Sequence, residues 1–261
     1  MSCLNQDVMD GLVTSVDWTK GQTAAATDVF LNAMRVANSD SLLDSIGTQM
    51  TVAAKVFTVT GGASGMGLAA CRLLAQKGAR AISIGDFNDK NFENVKQELN
   101  GINPDTAVET TQLDVSNSAQ VAAWIDGVVT KFGALDDSLN AAGVPQRPPQ
   151  SSGPSVLEET DESWRRTMAV NIDGVFYCCR EQVRAMMTLP SAPRSIVNIA
   201  SMGSFLHSGM MYGYGTSKSG VVHLSANLAQ NLRPFNIHVN TVCPGATDTP
   251  MLDTFIPPSV R

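Results

Sequence analysis

A chain of 261 residues with 43% hydrophobic and 16% charged content suits one α/β domain with a sizeable core and is too apolar for disorder. Its formal charge of −6 speaks against nucleic acid or an anionic membrane as partner. Cys3, Cys71, Cys178, Cys179 and Cys243 form no paired spacing, and His207, His223 and His238 are scattered. That pattern speaks against a disulfide framework or a metal centre, so no metal is expected and reduced thiols are.

The first 54 residues carry no motif and read as an extension, with short amphipathic helices over 24–36 and 41–50. They lack the apolar run of a secretory signal. Only Lys20 and Arg35 oppose Asp7, Asp10, Asp17, Asp28, Asp40 and Asp44, which is too acidic for a mitochondrial presequence. No apolar run is long enough to cross a bilayer, so cytoplasm is the expected location.

From Lys55 onward, strand-like and helix-like segments alternate, the pattern of a parallel sheet with helices on both faces. Strands are predicted over 56–60, 81–85, 108–113, 135–140, 195–200 and 237–242. The fourth is the weakest, because Asp136, Asp137 and Ser138 are poor strand formers. Helices are predicted over 66–76, 90–99, 121–132, 162–187 and 212–232, the second polar and surface-facing. Trp164 and Phe176 read as core on the long fourth helix. The proline-rich stretch 145–154 reads as a loop. The domain therefore runs over 55–261, after an extension over 1–54.

Between the first strand and first helix lies Thr60-Gly61-Gly62-Ala63-Ser64-Gly65-Met66-Gly67. Gly61 permits the tight turn, and Gly65 and Gly67 clear space for phosphate and for helix packing. The helix start adds unpaired N–H groups and a positive dipole end. Gly61, Ser64, Gly65, Met66 and Gly67 are thus candidate cofactor contacts. Asp86 closes the second strand, where a carboxylate accepts from adenosine ribose hydroxyls and repels a 2′-phosphate. No cation stands at Ser64 or directly after Asp86, so NAD is favoured over NADP. Asp114 and Val115 end the third strand, and Asn140, Ala141 and Gly143 the fourth, at the edge where doubly wound sheets bind ligands.

Tyr214 and Lys218 are four residues apart on a predicted helix and share a face, with Ser201 thirteen residues upstream of the tyrosine. A nearby ammonium lowers a phenol's pKa from its ordinary value of about 10. Tyr214 then exchanges a proton with a substrate oxygen while Ser201 hydrogen-bonds the same oxygen. Lys218 is also placed to hold the nicotinamide ribose. Tyr212 has Thr216 at the matching position and lacks that charge. His207 reads as a solvated loop residue, and Met210 and Met211 as pocket wall or core.

These elements, in this order, resemble the short-chain dehydrogenase/reductase family over residues 55–251. The resemblance implies a Rossmann-like, doubly wound parallel sheet and hydride exchange between a nicotinamide cofactor and an alcohol or carbonyl substrate. It maps a catalytic tetrad onto Asn171, Ser201, Tyr214 and Lys218, the asparagine kinking its helix and supporting a relay water. Pro244, Gly245 and Thr249 resemble the segment that packs on the nicotinamide. Val175-Phe176-Tyr177-Cys178 and Arg194-Ser195-Ile196-Val197-Asn198 look like fungal secondary-metabolism members, chanoclavine-I dehydrogenases among them, which implies a natural-product alcohol.

Two departures stand out. The family's Asn-Asn-Ala-Gly reads Asn140-Ala141-Ala142-Gly143, and the chain stops at Arg261, where relatives continue through a seventh strand. A homo-oligomer is implied by the family, with part of its interface and of the substrate wall expected to be missing. Two other readings remain: a truncated, non-catalytic dinucleotide-binding relative, and an isomerase or cyclase on the same fold.

Overall fold

The computed structural model describes residues 12–13, 52–146 and 153–254. The helices expected over 24–36 and 41–50, and residues 147–152 of the expected loop, lie outside them. Strands are β1 (Leu12–Val13), β2 (Val56–Thr60), β3 (Ala81–Asp86), β4 (Ala107–Gln112), β5 (Asp137–Asn140), β6 (Arg194–Ile199) and β7 (Ile237–Val242). Helices are α1 (Gly65–Gln76), α2 (Phe92–Ile102), α3 (Ser118–Phe132), α4 (Asp161–Met168), α5 (Gly174–Thr188) and α6 (Tyr212–Leu232).

One sheet has the order β1-β7-β6-β5-β2-β3-β4, and every ladder in it is parallel. The chain runs outward from β2 through β3 to β4, then crosses back to β5, β6 and β7. The crevice between β2 and β5 is therefore the topological switch point, where such sheets bind ligands beyond the strands' carboxyl ends. The position beside β7 is taken by β1, in register Leu12 with Thr241 and Val13 with Val242. The sheet thus gains an edge strand from residues expected to be a motif-free extension.

Alternation along the strands serves two cores. Phe57, Val59, Ile82 and Ile84 face α1 and α2 through Leu68, Leu74, Val95 and Leu99. Val56, Ala81 and Ile196 face the other side, with Trp124 and Ile125 of α3, Val175 and Met186 of α5, and Val221 of α6. Helices cover both faces, as expected for near-continuous apolar strands.

β5 forms despite its composition because its neighbours answer its polar side chains. Asp136 Oδ2 accepts from Val56 N at 2.8 Å, Asp137 Oδ2 from Lys55 Nζ at 2.8 Å, and Thr58 Oγ1 bonds Ser138 Oγ at 2.7 Å. Burial still raises the Asp137 carboxyl pKa, against the pull of Lys55.

Three expectations need correction. The single helix over 162–187 is broken into α4 and α5 by a π-turn over Ala169–Asp173, centred on Asn171. Trp164 and Phe176 are 37% and 42% exposed and are not core; twelve residues apart, they stand about 120° out of phase even on a continuous helix. α2 starts later and runs further than expected, and its Phe92, Val95 and Leu99 are buried, so one stripe of that polar helix belongs to the core.

Candidate active site

The glycine turn sits at the carboxyl end of β2 and feeds α1. Gly61 has φ +68°, and a Cβ there would lie 2.9 Å from Ala142 Cα and N. A Cβ on Gly67 would lie 2.2 Å from Gly61 O, so only glycine lets helix and turn close on each other. Gly65 has φ +51° and faces Thr249 across the crevice. Ser64 is the N-cap of α1 and makes no side-chain cap bond, leaving the helix start free to face a ligand.

These residues line a cleft of about 400 Å³. Gly61, Ser64, Gly65, Met66 and Gly67 form one wall; Asp86, Asp114 and Val115 border another; Ala141, Gly143 and Thr249 complete it. Asp86 Oδ2 accepts from Ala63 N and Oδ1 from Asn88 N, each at 3.0 Å. It therefore also fastens the glycine turn to β3. Asp114 Oδ1 accepts from Ser116 N and Oγ. Narrow glycine backbone, a bare helix start and carboxylates at the rim fit a dinucleotide.

Asn140 does not reach this cleft. It is 1% exposed and lies in a buried amide network, donating to Gln182 Oε1 at 3.1 Å and Asn198 Oδ1 at 2.9 Å and accepting from Gln182 Nε2. Its place within β5 turns its side chain into the core, so the cofactor contact expected of it is corrected to a structural one. Pro244 and Gly245 are likewise not among the lining residues. Pro244 O accepts from Met202 N at 2.9 Å and so anchors the segment after Ser201. Sequence reasoning missed Phe87, 73% exposed at the cleft rim, and Arg166, Ala169 and Val170, which line the cleft from α4 and the π-turn. Ala169 and Val170 adjoin Asn171 in sequence, but Arg166, Ala169 and Val170 lie five, two and one residues before it and so do not share its helix face, which left no periodic signal for them.

Asn171, Ser201, Tyr214 and Lys218 converge beside Gly143. Asn171 is fully buried; its Oδ1 accepts from Val144 N at 2.8 Å and its Nδ2 donates to Val144 O at 3.0 Å. A Cβ on Gly143 would stand 3.3 Å from Asn171 Oδ1 and 3.5 Å from Lys218 Nζ. Ser201 caps the short turn Met202–Ser204 through Gly203 N and hydrogen-bonds the Tyr214 phenol. Lys218 Nζ donates to Ile199 O at 2.8 Å and lies 5.9 Å from the Tyr214 ring centroid.

Burial lowers the Lys218 pKa to about 8, a shift that Cys243 opposes. Burial raises that of Tyr214, opposed by the Ser201 hydrogen bond. The expected lowering of the phenol by Lys218 is not what this geometry gives, because the ammonium is directed at a main-chain carbonyl and desolvation dominates. Tyr212, by contrast, donates to Gly209 O and contacts Ser155, outside this group. His207 is exposed on the loop before α6.

No helix among the described residues is long and apolar enough to cross a membrane. The family model for short chain dehydrogenase matches residues 55–258. The chanoclavine-I dehydrogenase of Penicillium roqueforti is 46% identical over 207 residues, 79% of each chain. That of Aspergillus fumigatus is 44% identical over the same length and shares. Among solved structures, levodione reductase is similar at a TM-score of 0.71 and 30% identity, covering 80% of each chain. NAD+-bound xylitol dehydrogenase (29% identical, TM-score 0.68, 76% of this chain and 72% of that one) is also similar. So is actinorhodin polyketide ketoreductase with NADPH (30%, 0.69, 77% and 74%). A glycine turn at the switch point, a tyrosine–lysine pair beside a serine, and a family model covering most of the sequence agree: the chain belongs to the short chain dehydrogenase family, nicotinamide-dependent oxidoreductases that act on alcohols and carbonyls.

Proposed function

We propose that the protein interconverts an alcohol and a carbonyl on a bulky natural product, with NAD in preference to NADP. The observation that carries this reading is the Ser201–Tyr214–Lys218 group, its lysine buried, beside Gly143 of a glycine-walled cleft. When bound, the nicotinamide ring supplies the acceptor or donor of the hydride. Gly61, Ser64, Gly65, Met66 and Gly67 would hold the pyrophosphate, and Asp86 the adenosine ribose. Asp114, Val115, Ala141, Gly143 and Thr249 would line its path, with Pro244 and Gly245 behind.

The Ser201 hydroxyl orients the substrate oxygen and stabilises charge developing on it. The Tyr214 phenol, protonated at neutral pH because burial raises its pKa, gives its proton to a carbonyl oxygen during reduction and recovers it in oxidation. Lys218 keeps positive charge beside the phenolate and is placed to hold the nicotinamide ribose. Asn171 spends its side chain on Val144 and Ser217, so it serves by holding the segment after β5 and helix α6 to the π-turn.

The substrate class rests on the likeness to chanoclavine-I dehydrogenases. Met202, Phe205, Leu206 and Met210, well exposed and within twelve residues of Tyr214 in the chain, offer apolar surface that suits a large apolar molecule. A cytoplasmic location and a homo-oligomer accompany this reading. Following NADH formation from chanoclavine-I and related ergoline alcohols tests it. Absence of turnover in both directions, with cofactor bound, would favour a non-catalytic relative, and a product of unchanged redox state would favour an isomerase.

A further inference from the structure

Helix α6, which carries Tyr214 and Lys218, has a poor start of its own. Its first residues are Tyr212-Gly213-Tyr214-Gly215, and two glycines in a first turn weaken it. Its N-cap is Met211, held at φ +58° with no side-chain cap bond. An ordinary N-cap side chain would accept from the third amide of the helix, which here belongs to Tyr214. That amide instead donates to Gln146 Oε1 at 3.0 Å, from a residue 68 positions earlier. Gln146 is 6% exposed, and its Nε2 donates to Glu159 Oε2, which fixes which end of the amide faces the helix. Glu159 Oε1 is buried and has no partner among the described residues, while Oε2 takes the Gln146 amide. Gln146 lies two residues beyond Val144, which Asn171 grips through both main-chain groups.

We propose that Gln146 is a positioning residue: it caps α6 from outside the helix, and with Glu159 behind it fixes where the Tyr214 phenol stands relative to Ser201. The segment 144–146 then joins Asn171 to Tyr214, so the two ends of the site move as one. This inference rests on the oxidoreductase reading for its kinetic consequence, while its effect on the phenol is independent of turnover.

Gln146→Leu keeps most of the bulk and removes both acceptor and donor; Q146E keeps the acceptor but sets a carboxylate against Glu159; adding E159Q restores a donor opposite. Ultraviolet titration of phenolate, taken as the difference from Tyr214→Phe without cofactor or substrate, follows the Tyr214 proton. With the first turn loosened and hydrated, Q146L is expected to bring the Tyr214 midpoint down towards that of an ordinary phenol. It is expected to lower kcat roughly fivefold to tenfold, the rate equivalent of one helix cap, with the KM and cofactor Kd changed less than about twofold. Q146E should be impaired and Q146E/E159Q largely restored. An unchanged midpoint and an unchanged kcat in Q146L overturn the proposal. If Q146L fails to fold, the double variant decides, and a double variant no better than Q146E overturns it. A wild-type protein with no turnover at all would sink the oxidoreductase reading, leaving the titration to judge the cap.

Discussion

Lys218 is 4% exposed, and burial moves its pKa from the ordinary 10.5 to about 8. At about 1.4 kcal/mol per pH unit, holding the ammonium in this place at neutral pH costs on the order of 3 kcal/mol of native stability. Lys218→Met keeps the stem and removes the charge. It also removes the bond to Ile199 O, worth about 1 kcal/mol. The net expectation at pH 7 is a variant more stable by about 2 kcal/mol, or roughly 4–8 °C in Tm. The sign follows from proton binding. Below pH 8 the folded and unfolded chains both carry the proton, and the destabilisation is complete. Between about 8 and 10.5 the unfolded chain binds more protons than the folded one, so wild-type stability rises with pH. Methionine does not titrate, so the gap between variant and wild type should close over that window. Thermal unfolding at pH 7, 9 and 10, beside NADH formation, reads both halves. Turnover should be lost while stability is gained. A variant less stable than wild type at pH 7, or a gain that does not change with pH, would refute the reasoning about the buried charge.

Tyr214→Phe should reduce kcat by about 10³-fold while the cofactor Kd, measured by calorimetry, stays within about twofold, because only the proton-exchanging oxygen is lost. Since burial raises the phenol's pKa, alcohol oxidation should accelerate as pH rises above neutrality and carbonyl reduction should slow; a flat pH–rate profile in both directions would contradict the assignment. Asp86→Ala should narrow the preference for NAD(H) and weaken binding of both cofactors, because Ala63 N and Asn88 N lose their acceptor; wild-type protein binding NADP(H) as tightly as NAD(H) would refute the premise. Gly67→Ala should destabilise the fold by more than about 2 kcal/mol in urea unfolding, given a Cβ 2.2 Å from Gly61 O.

Local chemistry was legible wherever a residue's role is set by its near neighbours in sequence. The turn Gly61–Gly67 between an apolar strand and a helix, and the four-residue step from Tyr214 to Lys218, needed only helix and strand periods. What failed depended on distant partners. Asn140 looked like a ligand contact because it ends a strand, yet Gln182 and Asn198 claim its side chain. β5 was expected, but only as the weakest strand, because propensity ignores the Lys55, Val56 and Thr58 groups that satisfy it. Trp164 and Phe176 were misplaced for a different reason: a large aromatic side chain was taken as core without a check of its phase on the helix, and twelve residues leave the two about 120° apart. Gln146 left no trace in local pattern, since a cap supplied from 68 residues away has no short-range signature.

The π-turn has a consequence for chain length as well as for shape. Each residue advances an α-helix by about 100°, so one residue more or fewer there sets the phase of everything after it. Before the turn, Thr167 packs on α6, where a Cβ on Gly213 would meet it at 3.5 Å. After it, Gly174 lies so close to Val115 that a Cβ would come within 2.7 Å of Cγ2, and Gln182 reaches Asn140. The two flanks are thus cut to different templates, one to the tyrosine helix and one to the sheet, and Ala169–Asp173 is the splice that lets a single rod satisfy both. A residue added to or taken from the turn would therefore put both Gly174 and Gln182 out of phase with the sheet at once.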